Sequence, residues 1–303
     1  MKGPALKLDP WIEGYLSYLQ EVKQLTANSV KDTRCTLRKV DQYLNHHRPG
    51  QPLWRRPLED FLGWLSFARE QGYRETGLAK DLSHVRGFLE YSFRSGRCER
   101  NVLDGFSLQD QLPVQVPQIL NLEEAERLVK AYRRDTAPER HRRLVILLLY
   151  GCGFRTAELC GLDVGDVNIE RQEIFVRKGK GGYQRYVPVP GGVWVELLAY
   201  LSERKGKRGA LFRTEAKACR LQNPRVGEIV REAVRRAGLE DWVTPKTLRH
   251  TFGSHLMDRG VDVGVISKLM GHRSPAETGV YLHVLPGKKE QAVQHLKLQE
   301  KPQ

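Results

Sequence analysis

A mainly α-helical protein in two domains, the second an α+β domain with a small β insertion, is the fold class this sequence predicts. Apolar residues recur at helical spacing over most of the chain. Only two stretches, Glu173 to Arg177 and Tyr183 to Val189, are rich in Ile, Val, Phe and Tyr, and they flank a Gly-rich turn. An unpatterned, proline-bearing stretch separates two patterned regions. The length of 303 residues suits two domains of ordinary size. With 40% hydrophobic and 28% charged residues, packed cores beneath a wet surface are expected, and neither disorder nor a fibre fits.

The first domain, residues 1–108, reads as helices only. Trp11-Ile12, Tyr15-Leu16, Tyr18-Leu19 and Val22 make one apolar stripe. A second helix begins near Thr26-Ala27-Asn28 and carries Val30, Leu37, Val40 and Leu44. A third follows Pro57 through Phe61-Leu62 and Trp64-Leu65, and a fourth runs from Thr76 to Phe93. Lys31, Arg34, Arg38 and Lys39 flank the stripe of the second helix, and Lys80 and Arg86 that of the fourth. Such charges form either a solvated face or a surface that tracks phosphates.

Residues 109–120, with Pro113 and Pro117 and no helical period, form a linker. The second domain, 121–303, opens at Asn121-Leu122-Glu123-Glu124, an N-cap followed by first-turn acids. Leu144 to Tyr150 is a buried apolar run stopped by Gly151 and Gly153. The two β-rich stretches form a hairpin with Lys180 at its tip.

Fifty Lys and Arg against 36 Asp and Glu leave a formal charge of +14, which favours a polyanionic partner through counterion release. No apolar run approaches the ~20 residues of a membrane span. The N-terminus lacks a signal-peptide core, so the chain is expected to remain in the cytoplasm, with the nucleoid. Five scattered cysteines without a C-x-x-C pair make neither a disulfide framework nor a zinc site, and His250 and His255 are five apart rather than at ligand spacing. Neither a metal nor a cofactor is expected.

Four segments of the second domain need a joint explanation. In Gly151-Cys152-Gly153-Phe154-Arg155-Thr156-Ala157-Glu158-Leu159 a helix starts at about Arg155. A cation in a first helical turn opposes the dipole unless an anion compensates, although a surface contact to Glu158 would also account for it. Lys178-Gly179-Lys180-Gly181-Gly182 is not a P-loop, and Lys180 alone is an exposed lysine on a turn. Thr244-Pro245-Lys246-Thr247-Leu248-Arg249-His250-Thr251-Phe252 sets Lys246 and Arg249 on one helix face, with Leu248, Phe252 and Leu256 on the buried one. His250 reads as a structural histidine. In the fourth segment Gly271 ends a helix and Ser274-Pro275-Ala276-Glu277 caps the next, leaving His272 in the turn and Tyr281 about two turns further on. Tyr281 alone reads as a core or interface residue.

Together the segments supply Arg, Lys, Lys, Arg, His and Tyr, with no acidic pair for a metal and no P-loop for a nucleotide. That set suits metal-free attack on a phosphodiester. A phenol of pKa ~10 needs a base or a strongly cationic site to attack at neutral pH. Two arginines hold the non-bridging oxygens and stabilise the transition state, and a lysine protonates the departing oxygen.

These segments resemble, in order and spacing, the signature boxes of the tyrosine recombinases (the lambda-integrase family), especially the Xer-like and phage-integrase branch. The resemblance runs through nearly the whole chain. It puts the family's first catalytic arginine on Arg155, its hairpin lysine on Lys180 and its second arginine on Arg249. The later histidine falls on His272 and the nucleophile on Tyr281. The family usually carries histidine three residues before the second arginine, where this chain has Lys246. Lys246 is therefore expected to order the scissile phosphate and assist proton transfer, with the acceptor of the Tyr281 proton left open.

The resemblance also implies a C-shaped clamp on duplex DNA, made of a helical core-binding domain and an integrase-type catalytic domain. A 3′-phosphotyrosyl intermediate and a homotetramer, or a related recombinase as partner, acting through a Holliday junction would follow. The tail from Leu285 to Leu298 would dock into a neighbouring protomer. A type IB topoisomerase, an architectural DNA-binding protein with an inactive site and a metal-dependent nuclease are the rival readings.

Overall fold

The computed structural model describes residues 8–108, 117–177, 184–204, 206, 208–214 and 219–272. Lys180, Tyr281 and the tail from Leu285 to Leu298 lie outside them. The chain divides into two compact units, Met1–Val114 and Gln115–Gln303. No helix among the described residues is long and apolar enough to cross a membrane.

The first unit contains α1 (Pro10–Glu21), α2 (Ala27–His47), α3 (Leu58–Glu70) and α4 (Glu75–Arg94). The first two are capped at their N-termini by side chains. The Asp9 carboxylate accepts from the Trp11 N–H at 2.8 Å, and Thr26 Oγ1 accepts from the Ser29 N–H at 3.2 Å. Ile12, Leu16, Leu37, Val40, Phe61, Leu78, Val85 and Phe88 fill its core. Three of the flanking cations tie helices together: Arg34 pairs with Glu13, Lys39 with Asp81, and Lys80 with Asp32 at 2.7 Å. Lys39 also lies over the Tyr73 ring at 4.7 Å. These cations thus serve bundle packing, a use the sequence pattern left open.

The second unit starts with α5 (Leu122–Lys130), whose capping box joins Asn121 and Glu124, and α6 (Ala137–Gly151). Then come the short α7 (Thr156–Gly161) and an antiparallel sheet of β1 (Val167–Asn168), β2 (Glu173–Val176) and β3 (Arg185–Pro188) in that order. Ile174 faces Val187 across the β2–β3 pair, and both are buried; the Phe175 and Tyr186 rings, on the other face, lie 4.8 Å apart at a tilt of 32°. The sheet has one strand more than expected, since β1 is only two residues long and carries no readable alternation.

Helices α8 (Gly191–Glu203), α9 (Asn223–Arg236), α10 (Pro245–Asp258) and α11 (Val263–Met270) complete the unit. The expected buried face of α10 needs correction. Leu248 enters the main core, but Phe252 and Leu256 are only half-buried against a small cluster of Met257, Ile266 and Met270. Thr247, Arg249, Thr251 and Ser254 are buried instead, because α10 packs against α6 and α9 as well as α11. The Thr251 hydroxyl is satisfied there, donating to the Thr247 carbonyl at 2.9 Å and accepting from the Leu120 N–H at 3.1 Å.

Candidate active site

The site gathers where α7, β3, α10 and the C-terminus of α11 meet. Arg155 is the N-cap of α7 rather than part of its first turn, because the Glu158 carboxylate takes its backbone N–H at 2.9 Å. The Arg155–Glu158 contact expected as a surface pair is a buried one. The Glu158 side chain is 2% exposed. Its Oε1 accepts from Arg155 Nη1 at 2.8 Å and Arg185 Nη1 at 3.0 Å, and its Oε2 accepts from Arg185 Nη2 at 2.9 Å. Arg249 Nη1 lies 3.8 Å from the same Oε2.

The last carbonyls of α11 supply the second half of the frame. Helix C-terminal carbonyls lack intrahelical partners and form the negative end of the dipole, so cations are favoured there. Leu269 O accepts from Arg185 Nε at 2.7 Å; Met270 O accepts from Arg249 Nη2 at 2.6 Å and Arg155 Nη1 at 3.3 Å; Gly271 O accepts from Arg155 Nη2 at 3.0 Å. Arg249 Nη1 also donates to the Gly153 carbonyl at 2.6 Å. Two positions beside these contacts leave no room for a side chain. Gly153, at φ +62°, has no room for a Cβ, which would lie 2.4 Å from Phe252; at Gly271, φ +63°, it would lie 2.6 Å from Arg185 Nη1.

Among the expected residues, Arg155 and Arg249 are brought together, and His272 follows directly on the carbonyls that hold them. The His272 backbone N–H donates to the Ser267 carbonyl at 3.0 Å, closing the α11 terminus as the Gly271 signal implies. Lys246 is exposed in the first turn of α10, one turn before Arg249. Sequence reasoning missed Glu158 as the shared counterion and missed Arg185 altogether. A signal for Arg185 existed: it shares a strand face with the inward-pointing Val187, where a cation needs a partner.

Burial alone would raise the Glu158 pKa, but the hydrogen bonds and charge of Arg185, followed by those of Arg155, outweigh it and hold the carboxyl below its ordinary value. At His250, burial, then Lys246 and Arg249, push the pKa down to about 4. The imidazole is therefore neutral at pH 7 and adds no charge to the site. The unfolded chain takes up this proton as pH falls through 6.5, whereas the folded chain resists until about 4. Stability is accordingly lost across that window and not above it. His250→Gln should flatten this acid limb of stability in denaturant titrations. An unchanged limb would show that His250 is not its source.

Residues 118–288 match the phage integrase family, and residues 12–96 match the N-terminal SAM-like domain of phage integrases. Tyrosine recombinase XerA of Pyrococcus furiosus is 32% identical over 244 residues, covering 80% of this chain and 81% of that protein. In fold, the chain is similar to the Tn1549 transposon integrase in complex with transposon right end DNA, with a TM-score of 0.78 at 20% identity over 95% of this chain and 99% of that one. A lambda integrase tetramer bound to a Holliday junction gives a TM-score of 0.70 at 14% identity over 89% of this chain and 76% of that one. With a family match over more than half its length and a XerA relative along most of both chains, this protein belongs to the phage integrase family of tyrosine recombinases.

Proposed function

We propose that this chain cuts and rejoins duplex DNA at a specific site, with the Tyr281 hydroxyl as nucleophile. The phenolic oxygen bonds to phosphorus as the bond to the 5′ oxygen breaks. Lys246 orders the phosphate and assists removal of the phenol proton, and Lys180 gives a proton to the departing oxygen. A 3′-phosphotyrosyl link and a free 5′-hydroxyl result. Attack by the 5′-hydroxyl of a partner strand reverses the step, so the number of phosphate ester bonds is conserved and the reaction needs no ATP.

The reading rests above all on the convergence of Arg155 and Arg249 on the Met270 carbonyl. Two guanidiniums that reach one oxygen are close enough to bind two oxygens of one phosphate and stabilise charge that develops there. His272 joins them from the end of α11. The net charge of +14 supports a DNA partner. The relatedness to recombinases supports four protomers, of this chain or with a related recombinase, acting in the cytoplasm on two sites through a Holliday junction. The tail from Leu285 to Leu298 is assigned the contact between neighbours.

The test is a nicked duplex carrying the protein's recombination site, recovered by mapping covalent attachment across the host genome. A denaturant-resistant protein–DNA adduct is expected, in EDTA as in its absence, and lost in Tyr281→Phe. Tight binding without an adduct would make the chain an architectural DNA-binding protein instead.

A further inference from the structure

We propose that Arg185 is a positioning residue that sets the charge of the phosphate-binding pair: it takes up the negative charge of Glu158, leaving that of Arg155 and Arg249 for DNA. The proposal rests on the recombinase reading above and adds a residue to its machinery. Arg185 meets both oxygens of Glu158 at 3.0 and 2.9 Å, a fork-on-carboxylate geometry. Arg155 and Arg249 each hold the same carboxylate by a single guanidinium nitrogen, at 2.8 and 3.8 Å. The Arg185 side chain is 9% exposed, and its Nε is fixed on the Leu269 carbonyl at 2.7 Å. Its Nη1 lies 2.6 Å from where a Cβ on residue 271 would stand, too close for a side chain there, so the contact is built around Gly271.

Charge accounting gives this geometry a purpose. Three guanidiniums on one buried carboxylate leave two net positive charges in the cluster. Attack of a phenolate on a phosphodiester anion produces a pentavalent phosphorus with two negative charges, which such a cluster matches. Without Arg185, Glu158 would be shared by Arg155 and Arg249 alone, and one net positive charge would remain for the same transition state. Arg185 thus acts on the reaction through Glu158 and does not itself touch the DNA.

Replacing the scissile phosphate by a methylphosphonate removes one negative charge from the transition state, and this separates a charge role from a packing role. Single-turnover adduct formation by the full-length protein is measured on nicked duplexes of both kinds, with wild type, Arg185→Gln and Arg185→Lys. On the phosphate, Arg185→Gln is expected to be about a hundredfold slower than wild type, the size of a lost transition-state charge partner. On the methylphosphonate its deficit against wild type should shrink at least about tenfold. Arg185→Lys, which keeps the charge, should stay within about tenfold of wild type on the phosphate, because a lysine replaces the charge but not the fork. Equal deficits for Arg185→Gln on both substrates would reduce Arg185 to a packing residue and overturn the proposal. So would a normal rate for Arg185→Gln, or an Arg185→Lys as slow as Arg185→Gln. Partial misfolding lowers both substrates alike and cannot imitate the expected result. A wild type that forms no adduct on the phosphate would instead sink the recombinase reading itself.

Discussion

Arg249→Ala is expected to slow adduct formation on a nicked substrate about a thousandfold, or ~4 kcal/mol of transition-state stabilisation, and Lys246→Ala by a clearly smaller factor. The ranking follows from how each cation is held. Arg249 is buried and fixed by the Gly153 and Met270 carbonyls, each at 2.6 Å, with Glu158 behind it at 3.8 Å. A donor fixed in advance stabilises developing charge without reorganising during the reaction. Lys246 is exposed on the first turn of α10, and its flexible stem must lose rotamer freedom to hold a phosphate. Single-turnover rates at saturating protein remove DNA affinity from the comparison. Thermal unfolding of both variants separates chemistry from the loss of the two carbonyl contacts. Equal rate losses for the two variants would overturn the ranking and make Lys246 a full partner of Arg249.

The helical frame was legible because its signals are local. Asn121 caps the helix that the sequence assigns to it, α2 begins beside Thr26 as expected, and Gly271 ends α11 in the left-handed conformation that only glycine adopts readily. The β2–β3 pair was readable from two stretches rich in Ile, Val, Phe and Tyr around a Gly-rich turn, whereas β1, two residues long, was not. Arg155 and Arg249 were legible as chemistry because cations without an evident counterion call for an anion. Their actual counterion was not legible as such. Glu158 stands three residues after Arg155, a spacing common to exposed and buried pairs alike, and only tertiary packing decides which one this is. The same limit misread α10. Its apolar period points to Phe252 and Leu256, yet the helix buries Arg249, which donates to the Gly153 and Met270 carbonyls, and Thr251, which accepts from the Leu120 N–H.

Because three arginines depend on it, Glu158→Ala is expected to destabilise the catalytic unit by about 3–5 kcal/mol, the usual cost of leaving buried charges without their partner. Four hydrogen bonds end on this carboxylate: one from the Arg155 backbone, one from its guanidinium and two from Arg185. Truncation removes all four, uncaps α7 and leaves Arg155, Arg185 and Arg249 to repel one another, held by the carbonyls at the end of α11 and, for Arg249, by that of Gly153. Glu158→Gln keeps the shape and part of the hydrogen bonding but not the charge, so it should lose less. The pH dependence supplies an independent check. Since the Glu158 pKa is lowered in the folded chain, its contribution is fully present above the ordinary carboxylate value of 4.5 and is lost as pH falls through the lower folded value. In Glu158→Gln that acid limb should be missing, while the limb from His250, which begins higher at 6.5, should persist. Denaturant titrations of wild type and both variants across this range read both effects. A loss below about 1 kcal/mol for Glu158→Ala, no more than a surface pair contributes, would mean that the backbone carbonyls hold the arginines in place without it.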